Sequence, residues 1–295
     1  MPMGPTALFA IASLIWGSTW LAITFQLGAV APEASVVYRF ALAAVLLAIW
    51  CAVTGRSLRF SRTQHLWLAA QGTLLFGLNY LAVYWAEQYV ASGLVAVLFS
   101  LIVFFNLVGA RVFFAAPIGG RTLIAACLGV AGVVLMFGHE LTRSAGEAGR
   151  GIGFALGATV LASAGNLIAV RNQRHGFPVL PSVAWGMAYG AAVIALVAIV
   201  EGTPWSFDAG PRYVLSLIYL ALFGSVIAFG AYLTLLGKIG PARAAYVGVA
   251  VPMVALAMST VFENYRWTLP ALAGAGLCVA GNILVLLRDR PPRPA

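Results

Sequence analysis

The chain has 295 residues, of which 62% are hydrophobic and only 8% charged, and its formal net charge is +9. A water-soluble domain carries about 25% charged residues, so a soluble fold is excluded: it could not cover so much apolar surface. Nucleic-acid binding is excluded as well, because the basic residues form short clusters between apolar runs, the pattern that sets membrane topology, and make no continuous face.

A helix crosses the hydrocarbon in about 20 residues, and ten such runs follow one another: 7–25, 34–53, 66–86, 90–114, 122–138, 151–170, 182–200, 213–236, 244–262 and 269–287. The opening stretch MPMGPTALFAIASLIW lacks a basic n-region and a clear cleavage site, so it is expected to remain as the first span. That span carries Ser13, Trp16, Trp20 and Thr24 on one helical stripe. The second, PEASVVYRFALAAVLLAIW, holds Arg39, which falls about 10 Å below Pro32 at the rise of an α-helix. It is expected to be a structural charge in the outer third, reaching the interface or a partner such as Glu87 or Glu263.

The third run places Tyr80 and Tyr84 on one face with Asn79 beside them. The sixth aligns Thr159, Ser163 and Asn166, and opens with Gly149, Gly153 and Gly157, read as a close-packing face. Gly186 and Gly190 on the seventh are read the same way. The eighth aligns Ser225, Phe229 and Tyr232; the ninth brings Tyr246, Met253 and the midspan Pro252. A proline there breaks the backbone ladder and is expected to act as a hinge. Trp50, Trp85 and Trp267, near span ends, are expected in interfacial belts.

Most basic residues lie in the 54–65, 115–121, 171–178 and 237–243 connections and the C-terminal tail, with Arg288, Arg290 and Arg293. The positive-inside rule then predicts both termini in the cytoplasm and the longer loops 139–150 and 201–212 outside. LGVAGVVL (Leu128–Leu135) and LCVAGNIL (Leu277–Leu284) share L-x-V-A-G. With five spans on either side of the 139–150 loop, the second half enters the bilayer from the opposite side. The expected domains are 1–140 and 141–295, an inverted-topology repeat of the kind that recurs in secondary transporters.

Four stretches resemble the EamA-type drug/metabolite transporter (DMT) superfamily. They are WGSTW (Trp16–Trp20), APEASVVYRFALAAVLL, NYLAVYWAEQYVASGLVAVLFS and YLTLLGKIGPARAAYVGVAVPMVALAMSTVFENYRW. Among its members the YddG-like amino-acid exporters are the most similar. The resemblance implies an all-α protein of ten transmembrane helices, a five-plus-five inverted repeat around a central cavity. Helices one, three, four, six, eight and nine would line the cavity, with two, five, seven and ten outside. It departs from the pattern in the first half, where Ser100–Val103 (SLIV) stands near the position that Pro252 matches. That half is therefore expected to flex less at midspan.

No acidic residue, histidine, lysine or arginine falls at the centre of a span. A cavity without fixed charge suits a neutral or zwitterionic substrate, and the absence of a central proton carrier favours facilitated transport. The expected substrate contacts are Trp16, Trp20, Asn79, Tyr80, Tyr84, Ser100, Asn166, Tyr232 and Tyr246. Aromatic rings offer apolar area and cation–π contact to an ammonium group, while amides and hydroxyls accept or donate to the carboxylate. The reading is therefore an inner-membrane exporter of amino acids working by alternating access. A proton-coupled drug or cation exporter is the alternative. An embedded transferase is disfavoured, since the chain has no H-E-x-x-H, G-x-S-x-G or paired carboxylates. Cys51, Cys127 and Cys278 lie far apart in apolar runs and read as small buried side chains. No cofactor, metal or catalytic residue is expected; the partners are a small-molecule substrate and the lipid bilayer, and a monomer is compatible with the plan.

Overall fold

The ten apolar runs become ten helical rods in a computed structural model, which describes residues 3–115, 120–143, 146–239 and 246–286. Arg243, Arg288, Arg290 and Arg293, which contributed to the topology argument, lie outside the described residues. The rods are α1 (Pro5–Thr24), α2 (Pro32–Val53), α3 (Arg62–Gly72 continuing as Asn79–Glu87), α4 (Ser92–Phe99 and Ile102–Phe114) and α5 (Gly120–Arg143). The second set is α6 (Glu147–Arg174), α7 (Val179–Val200), α8 (Pro211–Ile218 continuing as Ala228–Ile239), α9 (Val247–Phe262) and α10 (Leu269–Leu286). Seven are long and apolar enough to cross a membrane, and shorter apolar helices at Leu123–Met136, Val247–Phe262 and Leu269–Leu284 complete the set.

Local chemistry sets the helix starts. Pro5, Pro32 and Pro211 occupy the first turn of α1, α2 and α8, where a missing N–H costs nothing. α3 opens with a capping box: Gln64 N donates to Ser61 Oγ at 3.3 Å and Ser61 N donates to Gln64 Oε1 at 2.8 Å. The 139–150 segment is shorter as a loop than its charges suggested. α5 runs on to Arg143 and α6 begins at Glu147, because a polar helical end outside hydrocarbon loses nothing by remaining helical.

Peripheral rods pair with one another, α2 with α7 and α5 with α10. Inside them α1 packs on α8 and α9, α3 on α6 and α7, and α4 on α6 and α9. Exchanging the two sets of five maps α1·α9 onto α6·α4, α1·α8 onto α6·α3 and α3·α7 onto α8·α2, so the packing repeats itself. α3 and α6 run in opposite directions: Gly151 near the start of α6 meets Tyr89 beyond the end of α3, and Asn172 near its finish reaches Gln71. The architecture is the expected inverted repeat.

α3 and α8 each contain a π-helical stretch, Thr73–Leu78 and Tyr219–Ile227. Leu78 and Ile227, which close them, have the same spacing of 149 as Gly129 and Cys278, whose carbonyl and thiol touch. The matched irregularity belongs to the repeat.

Two glycine readings part company. A β-carbon on Gly190 would stand 2.9 Å from Gly72 O and from Gly77 N, and one on Gly72 would run into the Gly186 carbonyl. α7 and α3 thus meet backbone to backbone, as expected of Gly186 and Gly190. Gly149, Gly153 and Gly157 instead have nothing within 4 Å. The buried small residues of α6 are Gly151, Ala155, Ala158, Ala162 and Gly165, so the packing face was assigned to the wrong side of the helix. Cys127 is likewise exposed, while Cys51 and Cys278 are buried.

The two midspan irregularities differ in form. α9 stays helical through Pro252, whereas α4 breaks at Ser100 and Leu101. Ser100 N is shared between the carbonyls of Ala96 and Val97, each at 3.1 Å, and Ser100 Oγ donates to Val97 O at 2.7 Å. A hydroxyl competing for the preceding turn tightens it and bends the helix. The helical ladder is thus interrupted in the first half, at Ser100, although that half lacks the midspan proline.

Substituting Gly190→Val should overpack the α3–α7 contact and lower stability by about 1–3 kcal/mol. Gly153→Val, facing open space, should leave the melting temperature in detergent within a degree or two of the parent by the same reasoning.

Candidate functional site

The aromatic wall forms around α1 and α8. Trp16 Nε1 donates to Gly224 O, inside the π-helical stretch, at 3.0 Å. Its ring lies 5.2 Å from both Phe229 and Tyr232. Phe229 continues to Phe76 at 6.5 Å, Phe76 to Phe40 at 5.8 Å and Phe40 to Tyr80 at 4.6 Å. Trp20 stands edge-on to Phe99 at 5.4 Å. Of the expected contacts, Trp16, Tyr80 and Tyr232 are therefore joined through one chain of rings. Phe40, Phe76 and Phe99 were not singled out from the sequence, since phenylalanine in an apolar run carries no signal that separates wall from packing.

The remaining candidates are dispersed. Asn79 is buried, with Nδ2 donating to Leu75 O at 3.0 Å and Oδ1 unpartnered. Ser100 is occupied by its own helix turn, Asn166 is half-buried on α6, and Tyr246 is half-buried just ahead of α9. Tyr84 is fully enclosed and donates to Gln26 Oε1 at 2.6 Å, which sets its hydroxyl toward the end of the bundle where α3 finishes.

Arg39 requires the main correction. It does not reach the membrane edge: the side chain is 2% exposed. The guanidinium carbon lies 4.6 Å from the Tyr80 ring centre and 5.1 Å from that of Phe40, and a β-carbon on Gly224 would stand 3.7 Å from Nη2. Two aromatic faces hold a desolvated cation where snorkelling would have taken it to water. Nε and Nη1 are buried without a hydrogen-bond partner. Neither expected carboxylate pairs with it. Glu87 is 8% exposed and both its oxygens are unpartnered, while Glu263 is engaged elsewhere. The interior is therefore charged, against the expectation of a cavity free of fixed charge.

Glu263 bolts α9 to the start of α4. Its Oε1 accepts from Ser92 N at 3.2 Å and its Oε2 from Ser92 Oγ at 2.6 Å. Ser259 Oγ contacts the same carboxylate and accepts from Gly93 N at 2.8 Å. A helix N-terminus leaves its first N–H groups free and favours an anion, so one carboxylate satisfies both needs. The approach is close enough that a β-carbon on Gly93 would come within 2.8 Å of Leu256 Cα. α9 packs along Ser92–Phe99, while Ile102–Phe114 turns onto α6, so α4 and α9 meet at the Glu87 end of the bundle.

Of the tryptophans assigned to the interface, Trp50 and Trp267 are exposed. Trp85 is half-buried, donating from Nε1 to Glu33 Oε1 at 3.0 Å and packing on Phe154; it ties α3 to α2 and does not serve as a belt residue. Two concavities lie off the aromatic wall. One is lined by Ser100, Phe104, Gly129 and Asn282 among α4, α5 and α10, and the other is an apolar groove at Ala44, Leu58, Ala184 and Trp185 between α2 and α7. Among the described residues no group of three or more His, Cys, Asp or Glu could hold a metal.

The chain matches the description "EamA-like transporter family" twice, over residues 5–138 and 149–287. It is 29% identical over 285 residues to the uncharacterized inner membrane transporter YedA of Escherichia coli strain K12, covering 95% of this chain and 90% of that one. It is 24% identical to protein PagO of Salmonella typhimurium strain LT2, over 97% of this chain and 93% of the relative. The uncharacterized transporter YoaV of Bacillus subtilis strain 168 is 23% identical over 274 residues. A solved crystal structure superposes with a TM-score of 0.67 at 19% identity, covering 95% of this chain and 96% of that one; it bears on the fold alone.

Glu263→Ala should release the α4 N-terminus. Hydrogen exchange at the Ser92 and Gly93 amides is expected to accelerate at least about tenfold, a loss of about 1.4 kcal/mol or more of local protection. Amides in α2 should be unchanged.

Proposed function

Because the chain belongs to the EamA-like transporter family, we propose that it exports small neutral or zwitterionic metabolites, aromatic and other amino acids foremost, from the cell by alternating access. It is a multi-pass inner-membrane protein. The observation that supports the substrate reading is the run of rings from Trp16 through Phe229 and Phe76 to Tyr80, set against a buried guanidinium. A ring stacks on such a wall and an α-carboxylate has a cation beside it.

The two halves, 1–140 and 141–295, would act as the exchanging units, with both termini in the cytoplasm and the Glu87 end outward. In that orientation Glu263, Ser259 and Ser92 form the outer gate. Pro252 gives α9 a backbone carbonyl freed from the ladder, a place for the outer half to swing. The Ser100 bend gives α4 the matching freedom. Trp20, Asn79 and Asn166, on helices of the inner ring, with Ser100 at the break of α4 and Tyr246 just ahead of α9, complete the proposed passage.

Facilitated movement down the substrate gradient remains the primary reading of energy coupling. Proton exchange, also for drugs or cations, gains one specific observation: Glu87 is a buried carboxylate with both oxygens unpartnered, the kind of group that carries protons in membrane carriers.

Purified protein in liposomes should take up labelled phenylalanine or tryptophan with no pH gradient imposed. Trp16→Ala should lower that flux at least about tenfold, equivalent to about 1.4 kcal/mol, with unchanged expression. Uptake that appears only with a gradient would replace the facilitated version by proton exchange, and no uptake of any amino acid would overturn the substrate reading.

A further inference from the structure

Eight buried side-chain atoms of the described residues have no hydrogen-bond partner, and five of them belong to three residues: Gln26 Nε2, Arg39 Nε and Nη1, and Glu87 Oε1 and Oε2. Folded proteins leave few buried polar groups unpaired, and unpaired buried charges are strongly unfavourable. Here a guanidinium and a carboxyl group are both left open in one region. Tyr84 links them: its hydroxyl donates to Gln26 Oε1 at 2.6 Å and lies within electrostatic range of both Arg39 and Glu87. Glu87 in turn lies within range of Arg39 and of the gate carboxylate Glu263. The two groups lie near each other, yet no ion pair joins them.

The side chains that surround this region explain why the charges stay apart. The Arg39 guanidinium is held over the Tyr80 and Phe40 rings, and Glu87 ends α3, seven residues beyond Tyr80. Tyr84 and Gln26 fill the span between them and hold each other. A ligand that brought a negative group to Arg39 and a positive group to Glu87 would satisfy both once Tyr84 and Gln26 moved aside. We infer that Arg39 and Glu87 form a two-ended clamp for a zwitterion, the carboxylate accepting from Arg39 Nε and Nη1 and the ammonium donating to Glu87. This rests on the amino-acid reading above and adds to it the residues that read the charged ends. The apolar side chain would then lie toward Trp16, because Gly224 stands between the two: Trp16 donates to its carbonyl while Arg39 Nη2 faces its α-carbon.

The clamp makes a crossed prediction that a packing role does not. Liposome uptake would be measured for phenylalanine, for phenethylamine, which lacks the carboxylate, and for 3-phenylpropionate, which lacks the ammonium. The parent chain should favour phenylalanine at least about tenfold over either analogue. Arg39→Gln should lower phenylalanine uptake at least about tenfold while leaving phenethylamine within about twofold of the parent. Glu87→Gln should spare 3-phenylpropionate in the same way, and it carries the test by itself if the arginine variant does not fold. Equal losses on all three compounds, or no loss on any, would overturn the clamp while leaving amino-acid transport standing. A parent chain that moves none of the three would overturn both.

Discussion

A hydrocarbon surround donates and accepts no hydrogen bonds, and that one constraint orders the whole molecule. Each polar group within the membrane has to find its partner inside the bundle. Trp16 finds a carbonyl exposed by the π-helical stretch of α8. Trp85 finds Glu33, and Tyr84 finds Gln26. The free N–H groups that open α4 find Glu263 from a helix more than a hundred and fifty residues later in the chain. These contacts fix which helices are neighbours, whereas apolar packing between helices decides only how closely they approach. Where backbones touch, the sequence supplies glycine, as at Gly72, Gly77, Gly186 and Gly190.

The same constraint determines what could be read from the sequence. The ten spans were legible to within a few residues, because length and hydropathy are enforced along the whole of each rod. The repeat was legible from a five-residue string and the odd number of spans in each half. Inward and outward faces were not. In a soluble helix the apolar stripe marks the core, but lipid is as apolar as the interior, so the midspan parts of α2 and α6 show no single apolar stripe. The side chain of Arg39 therefore turns inward where the sequence suggests outward, and the buried face of α6 is not the one its first glycines suggest. The Ser100 bend was missed for another reason. Proline announces its effect on a helix, while a serine hydroxyl bends one only when its rotamer turns back on the preceding carbonyl.

The site has two kinds of chemistry at two depths. The rings of Trp16, Phe229 and Tyr232 offer area and little direction. The unpartnered groups of Arg39 and Glu87 offer direction, and Glu87 lies near the bolt that joins α4 to α9. A transporter has to bind its cargo and also change shape around it, and a change in charge balance beside Glu263 is a direct way to link the two events. Glu263 holds the helix start with both oxygens on Ser92, one contact away from the region around Glu87 where α3 ends.

The paired π-helical stretches have one more consequence. A turn of that kind accommodates a residue beyond the α-helical count, and one residue of α-helix is about 100° of rotation. Everything from Asn79 to Glu87 is aimed by Thr73–Leu78. Deleting a single residue there would leave a straight, apolar and fully membrane-compatible α3, yet Tyr80, Tyr84 and Glu87 would swing by roughly a quarter-turn away from Arg39. The aim of these side chains is thus written partly in the residue count of α3, where comparison of side chains alone would not find it.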